Sequence, residues 1–87
     1  MMSKVTIYTK DYCPFCVKAK ALLKRKGVSS IVEIDITSDE DLQAEMIEKS
    51  GGRRSVPQIF IGEKHVGGCD DLYALDASGG LESLLAN

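Results

Sequence analysis

The chain has 87 residues, enough for one domain with a thin core, and residues 1–87 are read as a single domain. Hydrophobic residues make up 44% and charged residues 28%, an ordinary globular mix, and no apolar run approaches the roughly eighteen residues of a membrane span. A net charge of −2 excludes a general nucleic-acid binder, which needs a basic face; with Lys10 and Asp11 interrupting any signal-peptide stretch, a cytoplasmic monomer without membrane or nucleic-acid partners is expected.

Val5-Thr6-Ile7-Tyr8-Thr9 is β-branched and aromatic and predicts a first strand. After the short loop Lys10-Asp11-Tyr12, Pro14 suits the first turn of a helix, where its missing N–H costs nothing. Val17, Ala19, Ala21, Leu22 and Leu23 supply the apolar residues of that helix, and Gly27 is a left-handed cap at its end. Lys24-Arg25-Lys26 just before it is read as cations against the helix dipole, not as a nucleic-acid patch.

Ile31–Ile36 predicts a second strand. Thr37 and Glu40 have capping-box spacing, so the next helix is expected to open at Thr37, with Leu42, Met46 and Ile47 buried and Ser50-Gly51-Gly52 ending it. Val56–Ile61 predicts a third strand with Pro57 at its entry. A turn over Gly62-Glu63-Lys64 leads to a brief fourth strand at His65-Val66, broken by Gly67-Gly68. Asp70–Leu75 reads as a third helix, and Leu81, Leu84 and Leu85 mark a last helical turn. The order β-α-β-α-β-β-α predicts an α/β fold, a four-stranded mixed sheet flanked by helices. Its first two strands are parallel, through a right-handed crossover, and the late hairpin is an antiparallel edge.

Cys13-Pro14-Phe15-Cys16 lies between the first strand and the first helix. Its spacing fits a redox dithiol, half a zinc site or a structural disulfide. A cytosolic compartment makes structural disulfides rare, and zinc needs a second ligand pair. Only Cys69 and His65 remain for that pair, on another supersecondary unit, and His65 is read as a strand surface residue; no metal site is expected. Between a strand and a helix the motif favours redox chemistry of the thioredoxin type. A free thiol of pKa about 8.5 is only about 3% ionised at pH 7, so a working site must lower that value. Cys13, just ahead of the helix, is placed for this, with Lys10 upstream; Cys16, one turn in, is expected to be more buried. Cys13 is therefore expected to attack and Cys16 to resolve, with Phe15 a cover over the motif.

Tyr8-Thr9-Lys10 before the dithiol, Ala19–Leu23 after it, Ser55–Ile61, and Gly67-Gly68-Cys69-Asp70-Asp71-Leu72 occur in the order and context of the glutaredoxin family. The chain resembles its small bacterial dithiol members, of the third type, along nearly its whole length. The resemblance implies a thioredoxin-like fold and glutathione as reductant, with no tightly bound cofactor. It implies Cys13 as nucleophile, Cys16 as resolving thiol, and a cis Pro57 facing the dithiol. The Val56 backbone would pair with the cysteinyl part of glutathione. Gly68, Cys69, Asp70 and Asp71 would hold its γ-glutamyl end, and Lys10 and Arg53 its glycyl carboxylate; Phe15 and Ser55 complete the set. Glutathionylated or disulfide-bonded proteins would be the substrates.

Two residues depart from the family pattern: Phe15 stands where tyrosine is usual, and Ser55 where threonine is usual. Arg54 beside Ser55 is read as a solvated loop arginine. Cys69 is read as a structural thiol beneath the glutathione loop. The alternative within the family is an iron–sulfur carrier, in which the first cysteine and glutathione bridge a cluster between two chains; Pro14 is unfavourable for it. A thioredoxin-type enzyme is weaker still, because the chain has no tryptophan and no Trp-Cys-Gly-Pro-Cys run.

Overall fold

A computed structural model describes residues 4–86. Its elements are β1 (Val5–Thr9), α1 (Pro14–Arg25), β2 (Ile31–Asp35), α2 (Glu40–Lys49), β3 (Gln58–Ile61), β4 (Lys64–Gly67), α3 (Cys69–Ala77) and α4 (Gly80–Leu85). The strands form one sheet in the order β2-β1-β3-β4. β1 runs parallel to β2 and antiparallel to β3, and β3 and β4 form an antiparallel hairpin. The expected mixed sheet is therefore present, in a thioredoxin-like arrangement.

Both faces of the sheet are covered. Val5 and Ile7 of β1 pair with Ile61 and Ile59 of β3, and these four side chains meet Ala19, Leu22 and Leu23 of α1, Leu72 of α3 and Leu81 and Leu85 of α4. The intervening residues Tyr8 and Phe60 face the other way and pack with Ile36 and with Met46 of α2. A strand buried on two faces reads as a continuous apolar run, which is why β1 and β3 lack polar alternation. β2, at the edge, has exposed positions: Val32 keeps 39% of its surface.

Pro14 occupies the first turn of α1, and Gly27 closes the helix with φ 89°. Its amide bonds the Lys24 carbonyl at 3.0 Å, and the Val28 amide bonds that of Leu23 at 3.1 Å, so the orphan carbonyls of the last turn are met. Lys26 reaches Asp76 of α3 at 2.7 Å and Glu82 of α4 at 3.3 Å, tying three helices together at the end far in sequence from the dithiol.

Three sequence expectations are corrected. Val17 is 64% exposed and Ala21 is also exposed; the buried stripe of α1 is Cys16, Ala19 and the pair Leu22 and Leu23, at steps of three or four residues along one face. α2 opens at Glu40, not at Thr37, because Asp39 caps it by accepting the Leu42 amide at 3.0 Å. Thr37 is occupied elsewhere: its amide bonds Asp35, and its hydroxyl accepts the Asp11 amide at 2.8 Å. The third strand starts at Gln58, two residues later than expected: Val56 and Pro57, joined by a cis peptide, lie outside the ladder, to which Pro57 has no N–H to donate.

Tyr8, 1% exposed, donates its hydroxyl to Glu45 of α2 at 2.8 Å. Burial, reinforced by Glu45, pushes its phenol from 10.0 up to about 12. A raised value favours the neutral form in the folded state, so this contribution is complete below pH 10 and is lost as pH rises toward 12. Tyr8→Phe is expected to lower stability by about 1 kcal/mol at pH 7. The difference from wild type should shrink above pH 10, as read from urea midpoints across that range.

Candidate functional site

The site is assembled by three chain crossings. β1 runs out toward Cys13, and β3, antiparallel to it with Gln58 opposite Tyr8, begins beside that point. β4 returns along β3 with Gly67 opposite Ile59, so the start of α3 arrives at the same end of the sheet.

Cys13 is the N-cap of α1. Its Sγ accepts the Cys16 amide at 3.1 Å, and its carbonyl accepts the amides of Cys16 and Val17 at 3.1 and 3.2 Å. The sulfur thus lies on the orphan donors of a helix start, where negative charge is favoured. Cys13 and Cys16 form a disulfide with Cα atoms 5.2 Å apart. Cys16 is 2% exposed and Cys13 is half-buried, the asymmetry expected from their places in the helix. The Val56 carbonyl lies 3.9 Å from Cys13 Sγ. A disulfide sulfur carries no proton, so this is close approach and not a hydrogen bond.

Beside the dithiol lies a cleft of about 160 Å³. Phe15, Arg53 and the Ser55-Val56-Pro57 segment form part of its lining; Gly68, Cys69, Asp70 and Asp71 form the rest. Nine of the ten residues that the sequence grouped around the dithiol therefore share one surface. The exception is Lys10, which is exposed and outside the lining. Arg54 is exposed and likewise outside it.

Within the cleft the charges are ordered. Asp71 accepts the Gly68 amide at 2.9 Å and pairs with Arg53 Nη1 at 3.1 Å. The Gly68 amide first, then Arg53, hold its carboxyl below the usual range. Gly67 has φ +121°, and a Cβ there would collide with the Asp71 carboxylate, so only glycine fits the turn from β4 into α3. Cys69, 5% exposed, is a free thiol under this turn; burial raises its pKa, against the pull of Lys18. Among the described residues, no group of three or more His, Cys, Asp or Glu side chains is arranged to hold a metal ion.

Behind the cleft is a polar network that residue patterns did not single out. Gln58, fully buried, donates to the Ser55 carbonyl at 2.9 Å, and its Oε1 lies 2.7 Å from His65 Nε2. His65 is thus not a plain strand surface residue. Its ring packs on Phe60, centroids 4.9 Å apart, and burial, with Arg53 second and Asp71 opposing, lowers its pKa. Gln58, a polar residue at the head of the apolar run Ile59-Phe60-Ile61, was the available signal.

A thioredoxin-like sheet that delivers an N-capping cysteine, its buried partner and a cis-proline edge to one point defines a thiol–disulfide oxidoreductase. Residues 5–66 match the family model described as Glutaredoxin. The chain is 58% identical over 84 residues to Glutaredoxin 3 of Escherichia coli (strain K12), covering 97% of this chain and 99% of the relative. The solution structure of glutaredoxin from Brucella melitensis is similar at TM-score 0.82 and 58% identity, covering 97% of this chain and 89% of that one. A crystal structure of a buckwheat glutaredoxin–glutathione complex is similar at TM-score 0.84 and 31% identity, covering 97% and 77%. The chain belongs to the glutaredoxin family.

Asp71 is partly exposed, so its ion pair contributes little. Asp71→Asn is expected to lower stability at pH 7 by less than about 1 kcal/mol. Because the folded-state pKa is depressed, the difference from wild type should close as pH falls below 3.8, which acid titration of the unfolding midpoint checks.

Proposed function

We propose that this protein is a glutathione-dependent oxidoreductase that reduces protein–glutathione mixed disulfides and protein disulfides, acting as a cytoplasmic monomer. The observation that carries the reading is that the Cys13 cap lies beside the cleft, its Sγ 3.9 Å from the carbonyl of Val56 in the lining. Glutathione has a thiol, two carboxylates and an ammonium. The half-buried Val56 edge, outside the sheet ladder, offers backbone groups to its cysteinyl peptide in the manner of an added strand. The first turn of α3 offers amides to one carboxylate, and Asp70 offers its side chain to the ammonium. Arg53, already beside Asp71, offers its guanidinium to the second carboxylate; Lys10, outside the lining, needs a swing of its side chain to assist. The similarity to the buckwheat glutaredoxin–glutathione complex supports this choice of co-substrate.

In the proposed reaction the Cys13 thiolate attacks the glutathionyl sulfur of a mixed disulfide. The protein thiolate leaves and takes up a proton. A glutathione thiolate then attacks the glutathionyl sulfur on Cys13, releasing glutathione disulfide and restoring the Cys13 thiolate. With a protein disulfide, Cys13 forms the mixed disulfide and Cys16 displaces the substrate, closing the Cys13–Cys16 bond. Two glutathione molecules reopen it.

The roles separate under mutation. Cys16→Ser should retain turnover of a glutathionylated peptide and lose reduction of protein disulfides, while Cys13→Ser loses both. Equal loss in the two variants with the glutathionylated peptide would contradict the assignment. Turnover supported by thioredoxin reductase but not by glutathione would contradict the choice of reductant.

A further inference from the structure

Gln58 has no access to water, so each of its amide atoms needs a protein partner. The Ser55 carbonyl can only accept, which fixes Nε2 toward Ser55 and Oε1 toward His65. His65 must then present Nε2–H, and its tautomer is set by a chain that starts at the Ser55 backbone. The chain has a rigid base. Gln58 pairs with Tyr8 in the centre of the sheet, and the His65 ring packs on Phe60, itself edge-on to Tyr8. Its outer end is the peptide immediately before Val56, whose carbonyl lies 3.9 Å from Cys13 Sγ. Neither Gln58 nor His65 lines the cleft.

We infer that Gln58 and His65 are positioning residues for glutathione: His65 orients the buried Gln58 amide, which grips the Ser55 carbonyl and so sets the Val56 edge at the reach and angle that glutathione pairs with. This rests on reading that edge as the seat of glutathione. A backbone edge outside the sheet ladder has no strand neighbour to set its angle: Val56 packs on the Tyr8–Met46–Phe60 cluster and Pro57 is buried, while the Ser55 carbonyl ahead of them is held by Gln58. Ser55 adds a second bond, its hydroxyl accepting from Gln58 Nε2 at 3.3 Å.

The test compares single-turnover reduction, by pre-reduced protein, of one peptide carried as a mixed disulfide with glutathione or with mercaptoethanol. The ratio of the two rates reports glutathione seating apart from dithiol reactivity. His65→Leu should lower that ratio about tenfold, as expected for a lost bond to a buried partner. His65→Gln, which returns a donor, should restore it to within about twofold. The double variant Gln58→Leu/His65→Leu removes both polar partners, so its melting midpoint should recover relative to His65→Leu, while the ratio stays about tenfold down. A ratio that recovers in step with the melting midpoint, or that never falls in His65→Leu, overturns the inference and leaves the glutathione reading intact. A wild-type ratio near one removes the glutathione reading and this inference with it.

Discussion

The unpaired amides at the start of α1 are the constraint around which the site is organised. A helix leaves its first N–H groups without internal partners, and something at the N-cap must accept them. Here the acceptor is the Cys13 sulfur, at 3.1 Å from the Cys16 amide. The atom placed to do chemistry is also the atom that finishes the helix. Ala19, Leu22 and Leu23 bury the helix against the sheet, so the cap is held by the core and not by the loop that precedes it. The same helix carries Cys16 inward, which separates an accessible sulfur from a shielded one without any further device.

Strand order does the rest. With β1 and β3 antiparallel and Tyr8 opposite Gln58, residues just beyond the end of β1 must lie near residues just before β3. Cys13 and Val56 are brought together by register, although 43 residues separate them. The hairpin repeats the logic on the other side. Gly67 opposite Ile59 sends the chain past Pro57, and a Cβ placed on Gly68 would stand 3.5 Å from the Pro57 carbonyl. A loop, a helix start and a cis peptide from three distant parts of the chain meet because one sheet fixes all three approaches.

Features with local causes were legible in the residues. Pro14 at a helix start, Gly27 at a helix end and the apolar runs of β1 and β3 each follow from short-range chemistry. Most of the cleft was legible through the family motifs. What was not legible depends on which way a side chain faces once packed. Val17 and Ala21 are apolar yet point outward, because the sheet covers only the Cys16–Ala19–Leu22–Leu23 stripe. Thr37 and Asp39 are both good caps, and Thr37 is engaged instead by Asp35, two residues before it, and by the Asp11 amide, 26 residues away. Gln58 and His65 resemble ordinary strand residues until the burial of one and the ring packing of the other are known.

The turn between β4 and α3 has an effect on how such a protein can diversify. Any side chain at Gly67 would displace the carboxylate that caps α3 and pairs with Arg53. The turn itself is therefore closed to a side chain at Gly67, and what can vary on that side of the cleft is the exposed side chains beside it, Arg53 and Asp70. The opposite rim is open: Tyr12 is 87% exposed and Phe15 58%, with few contacts to break. A substitution on the aromatic lip around the dithiol therefore disturbs little packing, whereas one at Gly67 disturbs the α3 cap and the Arg53 pair together.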